Sequence, residues 1–246
     1  MPKKKVLIIG GAGNTARPII DLLVDDYAIT VFDIIPYAAG HRSPTAHVRM
    51  MPGDICDIAA LQNAMAGMDV VIHLAVNTAN TQDGELSFKV NVFGTFNVLQ
   101  AAKQMEVKKV IMASSAAVHM DPSAGAACSP GEDFTYDLTK NLQELQAFHF
   151  AKTYAMNIMV LRLGHIVNGK AQTDLHGTPL SETDYCKGGW VCRHDVASAF
   201  KKSVEVDFEG YQLLHIIGSC QAKDTFDVSA AANMLGFECL EQFLDY

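Results

Sequence analysis

Four consecutive apolar residues, Val6-Leu7-Ile8-Ile9, run straight into Gly10-Gly11-Ala12-Gly13-Asn14-Thr15-Ala16. A strand that is apolar at every position, rather than at alternate ones, predicts burial on both faces and so a parallel sheet covered by helices. The glycines after it predict a tight turn into a helix, where the backbone can approach a bound group closely.

The same rhythm continues along the chain. Short strands are expected at Val6–Ile9, Ile29–Phe32, Val48–Met50, Val70–Leu74, Val110–Ala113, Ile158–Leu161 and Leu213–Ile217. Amphipathic helices are expected near 14–25, 57–66, 84–105, 134–155 and 195–205. This alternation predicts an α/β fold, a doubly wound parallel Rossmann sheet with ligands at the carboxyl ends of its strands. With 246 residues, 49% of them hydrophobic, the chain can form one compact unit. Residues 1–163 read as a nucleotide-binding core and 164–246 as a small substrate-binding region that also holds the last core strand, at about 211–217. Segments 119–133 and 164–194 break the rhythm and are expected to wall a pocket. Asp195 is expected to cap the helix after it, and Asp224 to Gly236 to form a final helix with a glycine stop.

The formal charge of −8 argues against nucleic acid as a partner, and Lys3-Lys4-Lys5 reads as a solvated strand entry. Six cysteines form no CxxC pair, and Cys186, Cys192 and His194 lack zinc-site spacing, so no metal is expected. Free thiols suit a reducing compartment. No early apolar stretch reaches the length of a signal peptide or membrane span, so a cytoplasmic protein without a membrane partner is expected.

Gly11-x-Gly13-x-x-Ala16, placed between a strand and a helix, suits a pyrophosphate held at a helix N-terminus. A second strand ends at Asp33, 20 residues after Gly13, the spacing at which a carboxylate meets the adenosine ribose. That charge would repel an extra phosphate, so NAD is favoured over NADP. Gly10, Gly13, Asn14, Thr15 and Asp33 are therefore candidate cofactor contacts. Asp54 and Ile55 could flank the adenine, or Asp54 could share a helix cap with Asp57. In His73-Leu74-Ala75, small residues would let the chain pass beneath the dinucleotide, with Leu74 and Ala75 as contacts; His73 reads as a buried histidine.

Tyr136 and Lys140 are i and i+4, one turn apart on a helix face. A phenol of pKa near 10 is a poor base at neutral pH, and a nearby ammonium stabilises its anion. Ser115 ends the preceding strand, where its hydroxyl could hold a reacting oxygen while Tyr136 exchanges the proton.

With these residues in place, the chain resembles the extended short-chain dehydrogenase/reductases, the NAD-dependent epimerase/dehydratase group. The resemblance covers Val6 to about Val167 and returns around 190–204. It also rests on Asn91-Val92-Phe93-Gly94-Thr95-Phe96-Asn97-Val98-Leu99, Ser114-Ser115 and Leu161-Arg162-Leu163-Gly164. It implies catalysis by Ser115, Tyr136 and Lys140, with Tyr136 and Lys140 also contacting the cofactor and Lys140 reaching the nicotinamide ribose. Asn91 would orient the helix or a water, or serve as a cap. Val118-His119-Met120 replaces the Val-Tyr-Gly of sugar-nucleotide members, and only 82 residues follow Gly164, too few to clamp a nucleotide diphosphate. In size and spacing the chain resembles the compact uronate dehydrogenases more than those members, yet residues 165–189 hold no arginine for a carboxylate; Lys170 and Lys187 are imperfect substitutes. An aldose, a polyol or another small alcohol is equally open. Val76, Asn77, Thr78, Ser115, His165, Asn168 and Trp190 are candidate substrate contacts. The resemblance also implies a homodimer through the helices near 84–105 and 134–155. The resulting expectation is an NAD-dependent dehydrogenase acting on a small hydroxylated substrate. The alternatives are an epimerase or dehydratase that keeps its NAD, and a regulatory protein that binds NAD without turnover.

Overall fold

The structure is a computed structural model that describes residues 2–35, 48–77, 83–118, 134–183, 187–219, 222–241 and 243. Seven parallel strands form the central sheet: β1 (Lys5–Ile9), β2 (Ala28–Asp33), β3 (Val48–Pro52), β4 (Val70–His73), β5 (Lys109–Ser115), β6 (Ile158–Leu163) and β9 (Tyr211–Ile216). Their order is β3-β2-β1-β4-β5-β6-β9, so the winding reverses between β1 and β4. Such a switch point opens a crevice at the carboxyl ends of the strands.

The continuous apolar run of β1 is explained by the two faces it serves. Val6 and Ile8 pack with Ile19, Ile20 and Leu23 of α1 (Ala16–Leu23) and with Val196 and Phe200 of α6 (Arg193–Glu205). Leu7 and Ile9 face the other way, onto α2 (Ile58–Met65), α4 (Thr95–Gln104) and α5 (Phe134–Tyr154). Both layers are completely buried along β1 from Val6 to Ile9.

The helix expected near 84–105 is composite. A short α3 (Gly84–Ser87) leads into a π-helical segment, Phe88–Gly94, and then into α4. The wider turn reorients side chains within it, Asn91 among them.

A second, two-stranded sheet pairs β7 (His165–Val167) with β8 (Trp190–Cys192) in parallel. It lies in the segment expected to be irregular, which also holds 3-10 turns at Leu180–Glu182 and Lys187–Gly189. The other such segment, 119–133, lies outside the described residues, as do Thr78 and Cys186.

Asp195 does not cap α6. The helix begins two residues earlier, with Cys192 at the cap position, and the buried Asp195 carboxylate accepts from the Glu241 amide at 3.1 Å. The final helix is shorter than expected: a 3-10 turn at Ala222–Asp224 precedes α7 (Ser229–Leu235). Gly236 ends it in the left-handed region at φ 55°, the conformation that favours glycine there.

Candidate functional site

The glycine turn sits where β1 meets the end of β4. Gly10 has φ +80°, and a Cβ there would lie 2.5 Å from the Ala75 amide nitrogen. The turn closes through Gly13 N–H to Gly10 C=O at 3.3 Å, and Ala16 N–H to Gly13 C=O at 3.1 Å starts α1. Thr15, at the cap position, makes no side-chain capping bond. Gly13 and Asn14 are exposed, and with Ala12 they border a cavity of about 440 Å³ that Arg193 and His194 close from the α6 side. Exposed backbone at an uncapped helix start, beside basic side chains, fits the pyrophosphate of a dinucleotide.

Asp33 ends β2 and ties the turn down. One carboxylate oxygen accepts from Ala12 N–H at 2.9 Å, the other from Ile35 N–H at 2.9 Å. Each oxygen keeps a second lone pair for a ribose hydroxyl. Asp54 accepts from Cys56 N–H at 2.8 Å, while Asp57 caps α2 through Ala59 and Ala60 N–H. Ile55 is buried against Gly94 in the core, and its backbone carbonyl accepts from the Asn97 amide. Leu74, whose N–H donates to Ile9 C=O at 2.8 Å, and Ala75 are half-buried at the crevice.

The end of β5 and the first turns of α5 meet at the candidate catalytic residues. Ser115 is the last residue of β5, half-exposed, its hydroxyl accepting from Ala117 N–H at 3.1 Å. Lys140 is buried one turn beyond the half-buried Tyr136, with Nζ 6.0 Å from the phenol ring centroid. That ammonium donates to Ala113 C=O at 3.0 Å, two residues before Ser115 on the same strand. Burial pulls the Lys140 ammonium down to about 8, against the opposing pull of Glu144. A cation held dry beside a phenol is suited to stabilising its anion.

Asn91 is neither a cap nor solvent-facing. Its oxygen accepts from Asn77 N–H at 2.7 Å, and its amide donates to the Thr139 hydroxyl at 2.9 Å. Thr139 in turn donates to Tyr136 C=O at 3.0 Å. The segment after β4 is thus joined to the first turn of α5, fixing Tyr136 relative to the crevice. Beneath this lies His73, fully enclosed, its Nε2 2.9 Å from the Thr95 hydroxyl. Burial is the main reason its imidazole falls to about 3, and the Lys140 charge adds to it.

Two residues carry chemistry that the sequence reading left unassigned. Glu144 and Arg162 form a buried ion pair, Nη2 to Oε2 at 2.7 Å and Nε to Oε1 at 3.0 Å. Ser114 Oγ also donates to Glu144 Oε1 at 2.5 Å. The available signal was spacing, since Glu144 stands four residues after Lys140 as Lys140 does after Tyr136.

The substrate candidates divide. Val76 is half-buried, and the buried Asn77 donates to the Ser87 hydroxyl at 3.0 Å. His165 is half-buried, its imidazole lowered mainly by burial. Asn168 accepts from Ala171 N–H at 3.3 Å in a local turn. Trp190 belongs to the core instead: its side chain is fully buried among Val167, Leu180, Cys192 and Phe243, the last edge-on at 5.8 Å. Its large apolar area drove it inward.

A model of the NAD dependent epimerase/dehydratase family matches residues 6–177. L-arabinose 1-dehydrogenase (NAD(P)(+)) of Haloferax volcanii is 24% identical over 217 residues, 82% of each chain. Human sterol-4-alpha-carboxylate 3-dehydrogenase, decarboxylating, is 36% identical over 116 residues, 47% of this chain. The match spans only 30% of that relative's length. Among solved structures, a mutant uronate dehydrogenase from Agrobacterium tumefaciens complexed with NAD superposes with a TM-score of 0.74. It is 18% identical, with 98% of this chain and 86% of that one covered, a likeness of fold. No helix among the described residues is long and apolar enough to cross a membrane.

Proposed function

The chain belongs to the NAD dependent epimerase/dehydratase family, and from that premise we propose that it is an NAD-dependent dehydrogenase of small, sugar-like alcohols. The observation that carries this reading is Lys140, buried beside Tyr136 and bonded to the strand that ends in Ser115. Bound NAD supplies the hydride acceptor. Tyr136, as phenolate, takes the proton of the substrate hydroxyl while the carbon bearing it gives up hydride. Ser115 Oγ donates to that same oxygen as it becomes a carbonyl. Lys140 stabilises the phenolate until it takes that proton, and a proton acceptor of this kind contributes about 10²–10⁴-fold. Gly10, Gly13, Asn14, Thr15 and Asp33 would hold the cofactor, with Asp54, Ile55, Leu74, Ala75 and Asn91 around it.

One fact favours an unconjugated sugar over a nucleotide sugar: the arabinose dehydrogenase aligns along most of both chains. With no arginine between 165 and 189, a neutral aldose is the preferred member of the class and a uronate the second. An epimerase or dehydratase using the same residues is the competing reading, supported by the family itself. NADH formation from an aldose, absent in Tyr136→Phe, separates the two, because an epimerase returns its hydride.

The protein acts, on this reading, as a homodimer. Phe88, Phe93 and Phe96 lie exposed along the π-helical segment and α4, and Leu145 and Phe148 along α5. With Glu85, Lys89, Val92 and Gln146, the three phenylalanines line a shallow groove of about 600 Å³, and so much apolar surface suits a partner. Residues 1–163 would serve the cofactor and 164–246 the substrate. The thiols of Cys56, Cys192 and Cys239, all free, suit the cytoplasm.

A further inference from the structure

We propose that Glu144 is the positioning residue of the catalytic pair, a buried carboxylate that clamps the helix carrying Tyr136 and Lys140 to the strand carrying Ser115 and balances the Lys140 charge. The inference rests on the dehydrogenase reading above and adds to it a residue outside the substrate's reach.

Glu144 occupies the meeting point of three elements. It projects from α5 on the face shared by Tyr136 and Lys140. Its Oε1 accepts from Ser114 on β5 and from Arg162 Nε on β6, and its Oε2 accepts from Arg162 Nη2 and more weakly from Nε at 3.2 Å. Ser114 and Arg162 are themselves paired neighbours in the sheet. One carboxylate therefore clamps α5 to the strand end whose next residue is Ser115. Fork-to-carboxylate geometry fixes orientation as well as distance.

The charge has a second consequence. Glu144 is the acidic member of the buried ion pair with Arg162 and also accepts from Ser114 Oγ. Among the described residues, the titratable and polar groups acting on Lys140 are His73 of β4, Tyr136 and Glu144 of α5 and the Ala113 carbonyl of β5. His73 is neutral above about pH 3, Arg162 of β6 is bonded to Glu144, and the phenol of Tyr211 of β9 is raised by burial and then by Glu144. Among these groups, Glu144 is the charge that opposes the cost of burying the ammonium. Without it, Lys140 loses its proton at lower pH, the phenolate of Tyr136 loses its counter-ion, and the phenol releases its proton only at higher pH.

The test compares Glu144→Gln, Glu144→Asp and the double variant Glu144→Gln/Arg162→Met with wild type. Removing both charges leaves neither buried without a partner, so the double variant keeps the test alive where Glu144→Gln alone fails to fold. The first readout is the ultraviolet difference titration of Tyr136 in the protein without cofactor, assigned by subtracting Tyr136→Phe. The second is the pH profile of kcat/KM for alcohol oxidation. The expected result is a rise of the Tyr136 titration and of the acidic limb by about one pH unit or more in each folded variant lacking the carboxylate. Glu144→Asp, which keeps the charge, leaves the limb in place whatever its turnover. A folded double variant with Tyr136 titrating as in wild type overturns the proposal and leaves the ion pair a purely structural one. Absence of NADH formation by wild type is a different failure, that of the dehydrogenase reading, and the phenol titration is still read.

Discussion

The Asp33 carboxylate accepts a 2.9 Å hydrogen bond from the backbone N–H of Ala12, in the middle of the glycine turn. The residue read from its spacing as a ribose contact also holds the turn that would cradle the pyrophosphate. Its two roles separate by substitution. Asp33→Asn keeps an oxygen for Ala12 N–H but removes the charge, so the preference for NAD over NADP should narrow about tenfold while NAD still binds well. Asp33→Ala removes the loop bond too, worth about 1.5–3 kcal/mol when an ionised group is involved, so NAD affinity itself should fall. Dissociation constants for both cofactors decide it. Selectivity equal in Asp33→Asn and wild type would remove Asp33 from cofactor choice.

Gly10→Ala should be among the most damaging single-methyl changes in the chain. The new Cβ meets the Ala75 backbone at 2.5 Å, and the residue must keep φ +80°. A cost of at least about 2 kcal/mol follows from the left-handed backbone and the clash together. That corresponds to a fall in Tm of roughly 4–8 °C for a domain of this size. Thermal melts check this; an unchanged Tm would mean that β1 and β4 can separate without loss.

Acid should destabilise the fold partly through His73. Its folded pKa, about 3, lies below the ordinary 6.5, so it contributes no loss above pH 6.5. Between those values the unfolded chain binds a proton that the folded chain excludes, and stability falls as pH drops. One such group gives up to about 1.4 kcal/mol per pH unit. His165 and His194, also lowered chiefly by burial, act in the same direction. Urea midpoints from pH 7 to 5 should show the slope, and His73→Asn should reduce it by close to one proton. An identical slope in the variant would assign the effect elsewhere.

The exposed phenylalanines give a prediction about assembly. Phe93→Glu combined with Phe148→Glu should convert a dimer to a monomer without loss of helical signal, because both side chains are substantially exposed. Light scattering after size exclusion measures it. A wild-type protein that is already monomeric would contradict the dimer.

Much of this was legible in the sequence because its causes are local. The unbroken apolar run of Val6–Ile9 signals burial on both faces, and the helix spacing of Tyr136 and Lys140 puts them on one side. What escaped depends on contacts between distant segments. Asn91 bridges Asn77 and Thr139 from within a π-helical turn that periodicity does not announce. Glu144 finds Arg162 only once α5 lies across β5 and β6. Trp190 read as a pocket residue from the resemblance to uronate dehydrogenases, whereas Phe243 and Leu180 pack against it. Asp195 likewise read as a cap because an acidic residue precedes an apolar stretch, but the β8 strand runs directly into α6 and starts the helix earlier.

The central claim is hydride transfer from a small sugar through Tyr136. Its most direct test is NADH formation by purified protein supplied with NAD and a panel of aldoses, uronates and polyols, with Tyr136→Phe run in parallel. The account predicts NADH with at least one neutral aldose, and a loss of at least a hundredfold in the variant while NAD binding stays nearly intact. Equal turnover in wild type and variant would contradict the assignment of Tyr136, and NAD binding with no NADH from any member of the panel would contradict the dehydrogenase.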